Sequence, residues 1–324
     1  MTRRDAEHMM RIRVLCESQD SEAVVDLLGA EPGVAHLTVA GGVGKQPTGD
    51  LIEAAIAREV VERVLHRLTE HGVHRRGEIT LEQIDTMVSE TAEAAEQAVP
   101  GAGAEAVIWD ELIDTTGEES QLNPVFLAFL TIACLLATVG VLTDSAITIV
   151  GAMVVSPDFG PLAALAVALA VRRRGLAARA ALALGVGFPL AMLVTAAFAW
   201  LGRLAGLFGP ADLTGLHEVS FIYQVGPYSV VVALLAGVAG MLALTSAKPG
   251  ALVGVFISVT TVPAAGFAVL AAVTEDWRRC GGSLLQLLVN LVGVAVAGGL
   301  TLLVRRGRVP GPGRTPRQHR PFRR

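Results

Sequence analysis

From residue 122 onward the chain is a series of apolar runs, each long enough to cross about 30 Å of hydrocarbon as a helix of roughly 20 residues. Six are read, at residues 124–143, 146–171, 177–203, 228–247, 251–273 and 283–304. Inside a bilayer every backbone N–H must be bonded within its own segment, so such runs are helices or nothing. A large soluble core would show polar faces at a 3.6-residue period, and these runs show none. With 52% apolar and 17% charged residues, a wholly soluble or disordered chain is excluded. The charges divide accordingly: residues 1–121 hold 24 Asp/Glu against 10 Lys/Arg, and residues 122–324 hold 6 against 16. The chain joins an acidic soluble segment to an apolar one with basic edges.

Basic residues stay on the cytoplasmic side. Arg172, Arg173, Arg174 and Arg179 lie between the second and third runs, Lys248 between the fourth and fifth, and eight Arg in the tail 305–324. These share one side if both termini are cytoplasmic. The opposite loops hold Asp144, then Arg203, Asp212 and Glu218, then Glu275, Asp276, Arg278 and Arg279. The aromatics Trp200, Phe208, Phe221, Tyr223, Tyr228 and Trp277 flank those outer loops, as interfacial anchors do. Residues 1–18 never reach the apolar core of a signal peptide, so the first 120 residues are expected in the cytoplasm and the protein in the bacterial plasma membrane. The basic tail reads as a topology anchor against anionic lipid, and no nucleic-acid partner is expected.

The two halves of the apolar segment resemble each other. Leu142-Thr143-Asp144-Ser145 precedes Ile149-Val150-Gly151-Ala152-Met153-Val154-Val155-Ser156-Pro157; Leu244-Thr245-Ser246-Ala247 precedes Leu252-Val253-Gly254-Val255-Phe256-Ile257-Ser258. Both then meet prolines, Pro157 and Pro161 in one half and Pro263 in the other. Three spans per half would make this a 3+3 inverted repeat, and paired proline-interrupted segments in inverted halves point to a transporter's central site.

Ser156-Pro157-Asp158-Phe159-Gly160-Pro161 is expected to break or sharply kink the second run. Asp158 lies half-way along it, where an ionised carboxylate costs on the order of 2.5–3.5 kcal/mol to insert. Two readings are open for it: a group facing a wet cavity, or a cap on the half-helix that follows. In the fifth run Ser258, Thr260 and Thr261 lie before Pro263, and their hydroxyls are expected to bond back onto their own helix. Gln286 and Asn290 stand one turn apart on the sixth run, available to a neighbouring helix or to a substrate. Gly237, Gly240, Gly293, Gly298 and Gly299 allow close helix contact.

In the soluble segment, residues 11–16, 34–39, 50–57 and 77–84 read as strands and 21–30 and 59–70 as helices. This βαββαβ order is that of a small α+β ferredoxin-like domain over 1–95, followed by an acidic connector, 96–121, the membrane domain 122–304 and the tail. Gly41-Gly42-Val43-Gly44-Lys45 fails the P-loop pattern at Val39 and Gln46 and reads as a hairpin loop. His66, His71 and His74 read as surface residues, and Cys16, Cys134 and Cys280 as free thiols, with Cys280 in a loop. No metal or other cofactor is expected.

Ile149-Val150-Gly151-Ala152-Met153-Val154-Val155-Ser156-Pro157 with Gly160-Pro161 resembles the prokaryotic family catalogued as domain of unknown function 389. So do Gly140-Val141-Leu142-Thr143-Asp144-Ser145 before it, and Ala251-Leu252-Val253-Gly254-Val255 with Val262-Pro263 after it. The likeness covers about residues 122–275, and the soluble segment is similar to the N-terminal domain attached to actinobacterial members. One departure is Thr260-Thr261-Val262-Pro263-Ala264, where that family would lead one to expect a double proline. The resemblance implies a multi-span membrane protein and carries over no activity and no catalytic residues.

The expected function is movement of a small solute or ion past Asp158 and the fifth-run hydroxyls, with the soluble domain regulating it or pairing two copies into a homo-oligomer. The alternative is a membrane-anchored sensor or scaffold that transports nothing. An enzyme is not expected, because the spans hold no Ser/His/Asp set, metal cluster or paired carboxylate.

Overall fold

A computed structural model describes residues 9–84, 86–99, 107–209, 222, 226–246, 255 and 260–308. They fall into two compact units, one ending at Trp109 and the other spanning Asp110–Arg308.

The first unit runs β1 (Met9–Cys16), α1 (Ser18–Gly29), β2 (Val34–Lys45), β3 (Thr48–Ala57), α2 (Arg58–Glu70), α3 (Val73–Arg76), β4 (Glu78–Gln83) and α4 (Glu90–Gln97). Its four strands form one antiparallel sheet in the order β2-β3-β1-β4. Alternation along β1 sends Ile12, Val14 and Cys16 inward beside Ile52 and Ile56 of β3, against Val24 and Leu28 of α1 and Val60, Val64 and Leu68 of α2. Glu31 is buried where α1 ends, and it pairs with Arg63 at 2.9 Å and Arg67 at 3.6 Å from α2. The glycine stretch 41–44 is a correction to the expected loop. It continues β2, with irregular register between Ala40 and Gly44, and the turn falls at Gln46-Pro47. The ladder to β3 resumes at Gly44 opposite Gly49, so residues 41–43 form an irregularity within the strand rather than its turn.

The second unit runs α5 (Trp109–Glu119), α6 (Pro124–Leu142), α7 (Ala146–Val155), α8 (Phe159–Val171), α9 (Arg174–Leu204), α10 (Pro227–Thr245), α11 (Thr261–Val273) and α12 (Trp277–Arg308). Four of these, α6, α9, α10 and α12, are long and apolar enough to cross a membrane. A fifth candidate is the pair α7 and α8, bent by 56° at the break. Of the run read at 251–273, only Val255, Thr260 and the 13-residue α11 are described. Leu182, Leu193 and Phe198 of α9 and Leu235 of α10 are exposed, an apolar surface that suits hydrocarbon rather than water. Trp200 and Tyr228 stand exposed near helix ends; Phe221, Tyr223, Lys248, Asp212, Glu218 and residues 309–324 of the basic tail lie outside the described residues.

The helix ends follow local rules. The Asn123 side chain accepts the Phe126 N–H at 2.8 Å ahead of Pro124, and Asp276 accepts the Arg279 N–H at 3.1 Å at the start of α12. That cap corrects the placement of Cys280, which sits in the first turn of α12 rather than in a loop. Small residues set the packing: a Cβ on Gly237 of α10 would lie 2.6 Å from the Val294 carbonyl oxygen of α12, and one on Gly293 would lie 2.8 Å from the Ala233 Cβ.

Candidate functional site

Pro157 cannot continue α7, because it has no N–H to donate and its ring would strike the carbonyl of Met153. Ser156 therefore turns extended, Pro157 follows, and α8 begins at Phe159. Pro161 is tolerated as the third residue of α8, where an N–H has no partner inside the helix. α11 repeats this layout: it is also 13 residues long, and its third residue is Pro263.

The two helices meet at their starts. Asp158 is only 6% exposed. One of its carboxylate oxygens accepts the Ser156 hydroxyl at 2.6 Å, and the other accepts the Thr261 hydroxyl across the chain. Although Asp158 occupies the N-cap position of α8, its side chain makes no capping bond, so the capping alternative for this residue is not realised. The expected back-bonding of Thr261 is corrected, because its hydroxyl is spent on Asp158; for Ser258 and Thr260 that expectation falls on residues outside the described ones. Thr261 reaches Asp158, and Thr260 accepts the Asn290 side-chain N–H at 2.8 Å. A buried carboxylate without donors costs more than a relaxed kink gains, so at Thr261 the tertiary bond wins. Gln286 donates to the Asn290 side-chain oxygen at 3.4 Å, so Thr260, Asn290 and Gln286 form a second bonded set beside that of Asp158.

The depth of this cluster follows from helix lengths. α9, with 31 residues, is about 46 Å long. Its start adjoins the end of α8 through Arg172 and Arg173, and near its end Arg203 donates to the Val273 carbonyl at the end of α11. From the Asp158–Thr261 contact, α8 and α11 thus run to opposite ends of α9, each for about 20 Å. The contact lies near mid-depth of the helical unit. At the α8 end, Arg306 donates to the Ala170 carbonyl and Arg305 to the Thr245 hydroxyl, both at 2.8 Å, so α8, α10 and α12 all finish there. Cations at the carbonyl ends of helices are where the helix dipoles favour them.

The residues singled out in the sequence form two hydrogen-bonded sets, Ser156 with Asp158 and Thr261, and Thr260 with Asn290 and Gln286, which adjoin through the Thr260–Thr261 peptide bond. Pro157, Pro161 and Pro263 shape the two helix starts. Gly160 has a packing reason: a Cβ there would lie 2.7 Å from the Glu119 Cβ, where the end of α5 covers the break. Ser258 lies outside the described residues.

Two participants escaped sequence reasoning. Ser283 is fully buried with no hydrogen-bond partner among the described residues, and it lies at i−3 and i−7 from Gln286 and Asn290, on the same face of α12. That periodicity was available to find it. Glu119 had no such signal, because only tertiary packing brings it to Gly160. No group of three His, Cys, Asp or Glu able to hold a metal occurs among the described residues.

Residues 153–296 match the family model described as "Domain of unknown function (DUF389)". The match takes in 144 of the chain's 324 residues. The matched segment opens in the last turn of α7 and closes within α12, so it encloses the break, both proline-marked helix starts and both hydrogen-bonded sets. The chain is also similar to "Uncharacterized protein MJ0678" of Methanocaldococcus jannaschii, 24% identical over 190 residues that make up 59% of this chain and 57% of that protein. The aligned part thus spans little more than half of that relative's length. No solved structure matches the chain.

Proposed function

We propose that this protein is a transporter-like or channel-like membrane protein that moves a small solute or ion through a site at Asp158. The observation that carries the reading is the buried Asp158 carboxylate, held by hydroxyls at the meeting point of two proline-marked helix starts near mid-depth. A carboxylate at that depth is costly and is characteristic of substrate or ion paths. The reading is non-enzymatic, since a single carboxylate among hydroxyls and amides forms a binding set rather than an acid–base pair.

The same reading includes six spans in a 3+3 inverted repeat, with both termini on the cytoplasmic face of the plasma membrane. Its support is the matched length and proline position of α8 and α11 and their opposite directions, together with the Arg residues gathered where α8 and α12 end. The N-terminal unit would be a ferredoxin-like regulatory domain, as its strand order and βαββαβ sequence favour. It would cover residues 1–95, with 96–121 as connector and 305–324 as a cytoplasmic tail on anionic lipid. It could also pair two copies.

The test is single-cysteine accessibility at positions 156–161 and 258–263 in a Cys-free background, with membrane-impermeant reagents applied from each side, alongside flux into proteoliposomes. Labelling at both stretches with Asp158-dependent flux is expected. Uniform protection and no flux for any small solute or ion would favour an anchored sensor instead.

A further inference from the structure

The glycine stretch 41–44, which the sequence alone reads as a loop, builds one side of a cavity on the N-terminal unit. α1 and α2 pack on the sheet face that carries Ile12, Val14 and Cys16, and alternation along β1 turns Arg13 and Leu15 to the other face. Register sets Leu15 between Leu51 of β3 and Glu78 of β4, and Arg13 between Glu53 and Thr80. Gly42 has a φ of 69°, and its N–H donates to Asp50, which also accepts the Ser18 hydroxyl. Gly44 lets β2 come down onto this face, since a Cβ there would lie 2.8 Å from the Leu15 Cδ1. The result is a cavity of about 280 Å³, with Leu15 and Leu51 as its floor, Val43 and Gly44 on one side, and Arg13, Glu78 and Thr80 completing the lining. That is the lower end of the range for small-molecule sites.

The lining selects for a particular chemistry. Arg13 pairs with Glu53 at 2.7 Å and loosely with Glu82 at 3.9 Å, and its planar fork carries further N–H donors. Glu78 accepts the Thr80 hydroxyl at 2.8 Å and forms no ion pair among the described residues. An anion alone would meet the carboxylates of Glu53, Glu78 and Glu82 around the guanidinium, and a cation alone would face Arg13. A purely apolar ligand would take water from both charges and return nothing. A small zwitterion with an apolar side chain meets every group: its carboxylate on the Arg13 fork, its ammonium on Glu78, its side chain on Leu15, Leu51 and Val43. Arg13 and Glu78 are diagonal neighbours across β1 and β4, about 7–8 Å apart at the backbone, a gap their long side chains can narrow to the charged end of an amino acid. We infer that this cavity binds a free apolar α-amino acid. Its use as a signal rests on the regulatory reading above, whereas the binding itself does not.

Isothermal titration calorimetry on the full-length protein in detergent tests this, with L-leucine, L-valine and L-phenylalanine as probes. At least one is expected to bind. The matching amine without the carboxylate, and the matching carboxylate without the amine, should each bind at least about tenfold more weakly. Glu78→Gln alters an exposed side chain and should raise Kd about tenfold, and Leu51→Trp should abolish binding by filling the cavity. If Leu51→Trp does not fold, Val43→Ser at the exposed edge should weaken binding several-fold. The inference is overturned by the absence of heat from all three amino acids up to about 10 mM, by equal affinity for either half-analogue, or by unchanged affinity in Glu78→Gln. It is also overturned if inorganic phosphate binds in their place, or if light scattering shows this face occupied by a second copy, a dimer that Val43→Ser weakens while no amino acid binds. Flux into proteoliposomes is read separately. Binding that leaves flux unchanged keeps the site and removes the regulatory reading, whereas flux without any amino-acid binding removes the site and keeps the pathway.

Discussion

Replacing Thr261 with Val keeps its size and branching and deletes only the hydroxyl that Asp158 accepts. Hydrogen bonds to charged groups contribute about 1.5–3 kcal/mol in soluble proteins, while side-chain bonds between membrane helices average about 0.6 kcal/mol and reach about 1.7. Asp158 is only 6% exposed, so the lost donor leaves a buried carboxylate oxygen short of a partner. Thr261→Val is therefore expected to cost about 1.5 kcal/mol, near the top of the membrane range. Asp158→Asn should behave differently. It removes a mid-depth charge whose insertion costs about 2.5–3.5 kcal/mol and keeps an acceptor, so it is expected to be neutral or stabilising. In the Asp158→Asn background, Thr261→Val should cost no more than about 0.6 kcal/mol, leaving a coupling of about 1 kcal/mol. Unfolding by SDS in mixed micelles, followed by fluorescence of Trp109, Trp200 and Trp277, measures all four corners, and Thr261→Ser serves as the hydroxyl-retaining control. Additivity within about 0.3 kcal/mol would refute the contact and with it the meeting of α8 and α11 at this point.

Further outcomes follow from other parts of the molecule. Gly237→Val should lower the unfolding temperature markedly, because its Cβ would press on the backbone of Val294 and overpacking of this kind costs about 1–3 kcal/mol. By contrast Gly151→Ala, with nothing within 4 Å of its Cβ, should be neutral or slightly stabilising. Arg306→Ala removes the cation from the carbonyl end of α8 and should cost about 1 kcal/mol in the same unfolding assay. In the N-terminal unit the Gly42 N–H and then the Ser18 hydroxyl hold the Asp50 carboxyl below its ordinary value of 3.8. A lowered folded value gives stability that is present above 3.8 and lost as pH falls through the lower value, so melting of this unit should become acid-sensitive below about pH 4. Asp50→Asn should flatten that dependence. An unchanged acid profile would show that these bonds do not hold the carboxylate.

The sequence alone determined what is local or periodic in this protein. Runs of about 20 apolar residues announce membrane helices because the bilayer forbids unpaired backbone, and the alternation of Ile12, Val14 and Cys16 marks a half-buried strand. Pro157 announced the break because a missing N–H and a ring clash act within one turn. The same local logic misread residues 41–44, which β2 carries as an irregularity between the paired Ala40 and Gly44 while the turn falls beyond them. Tertiary structure alone decided the partners. Asp158 and Thr261 are 103 residues apart, and Thr260 and Asn290 are 30 apart, so their bonds depend on how α8, α11 and α12 lie against one another. Helix packing also buried Gln286 and Ser283, each with an oxygen unsatisfied among the described residues, and laid Glu119 over Gly160. Pattern reports which groups a segment carries, but only packing reports which of them must satisfy one another once water is gone.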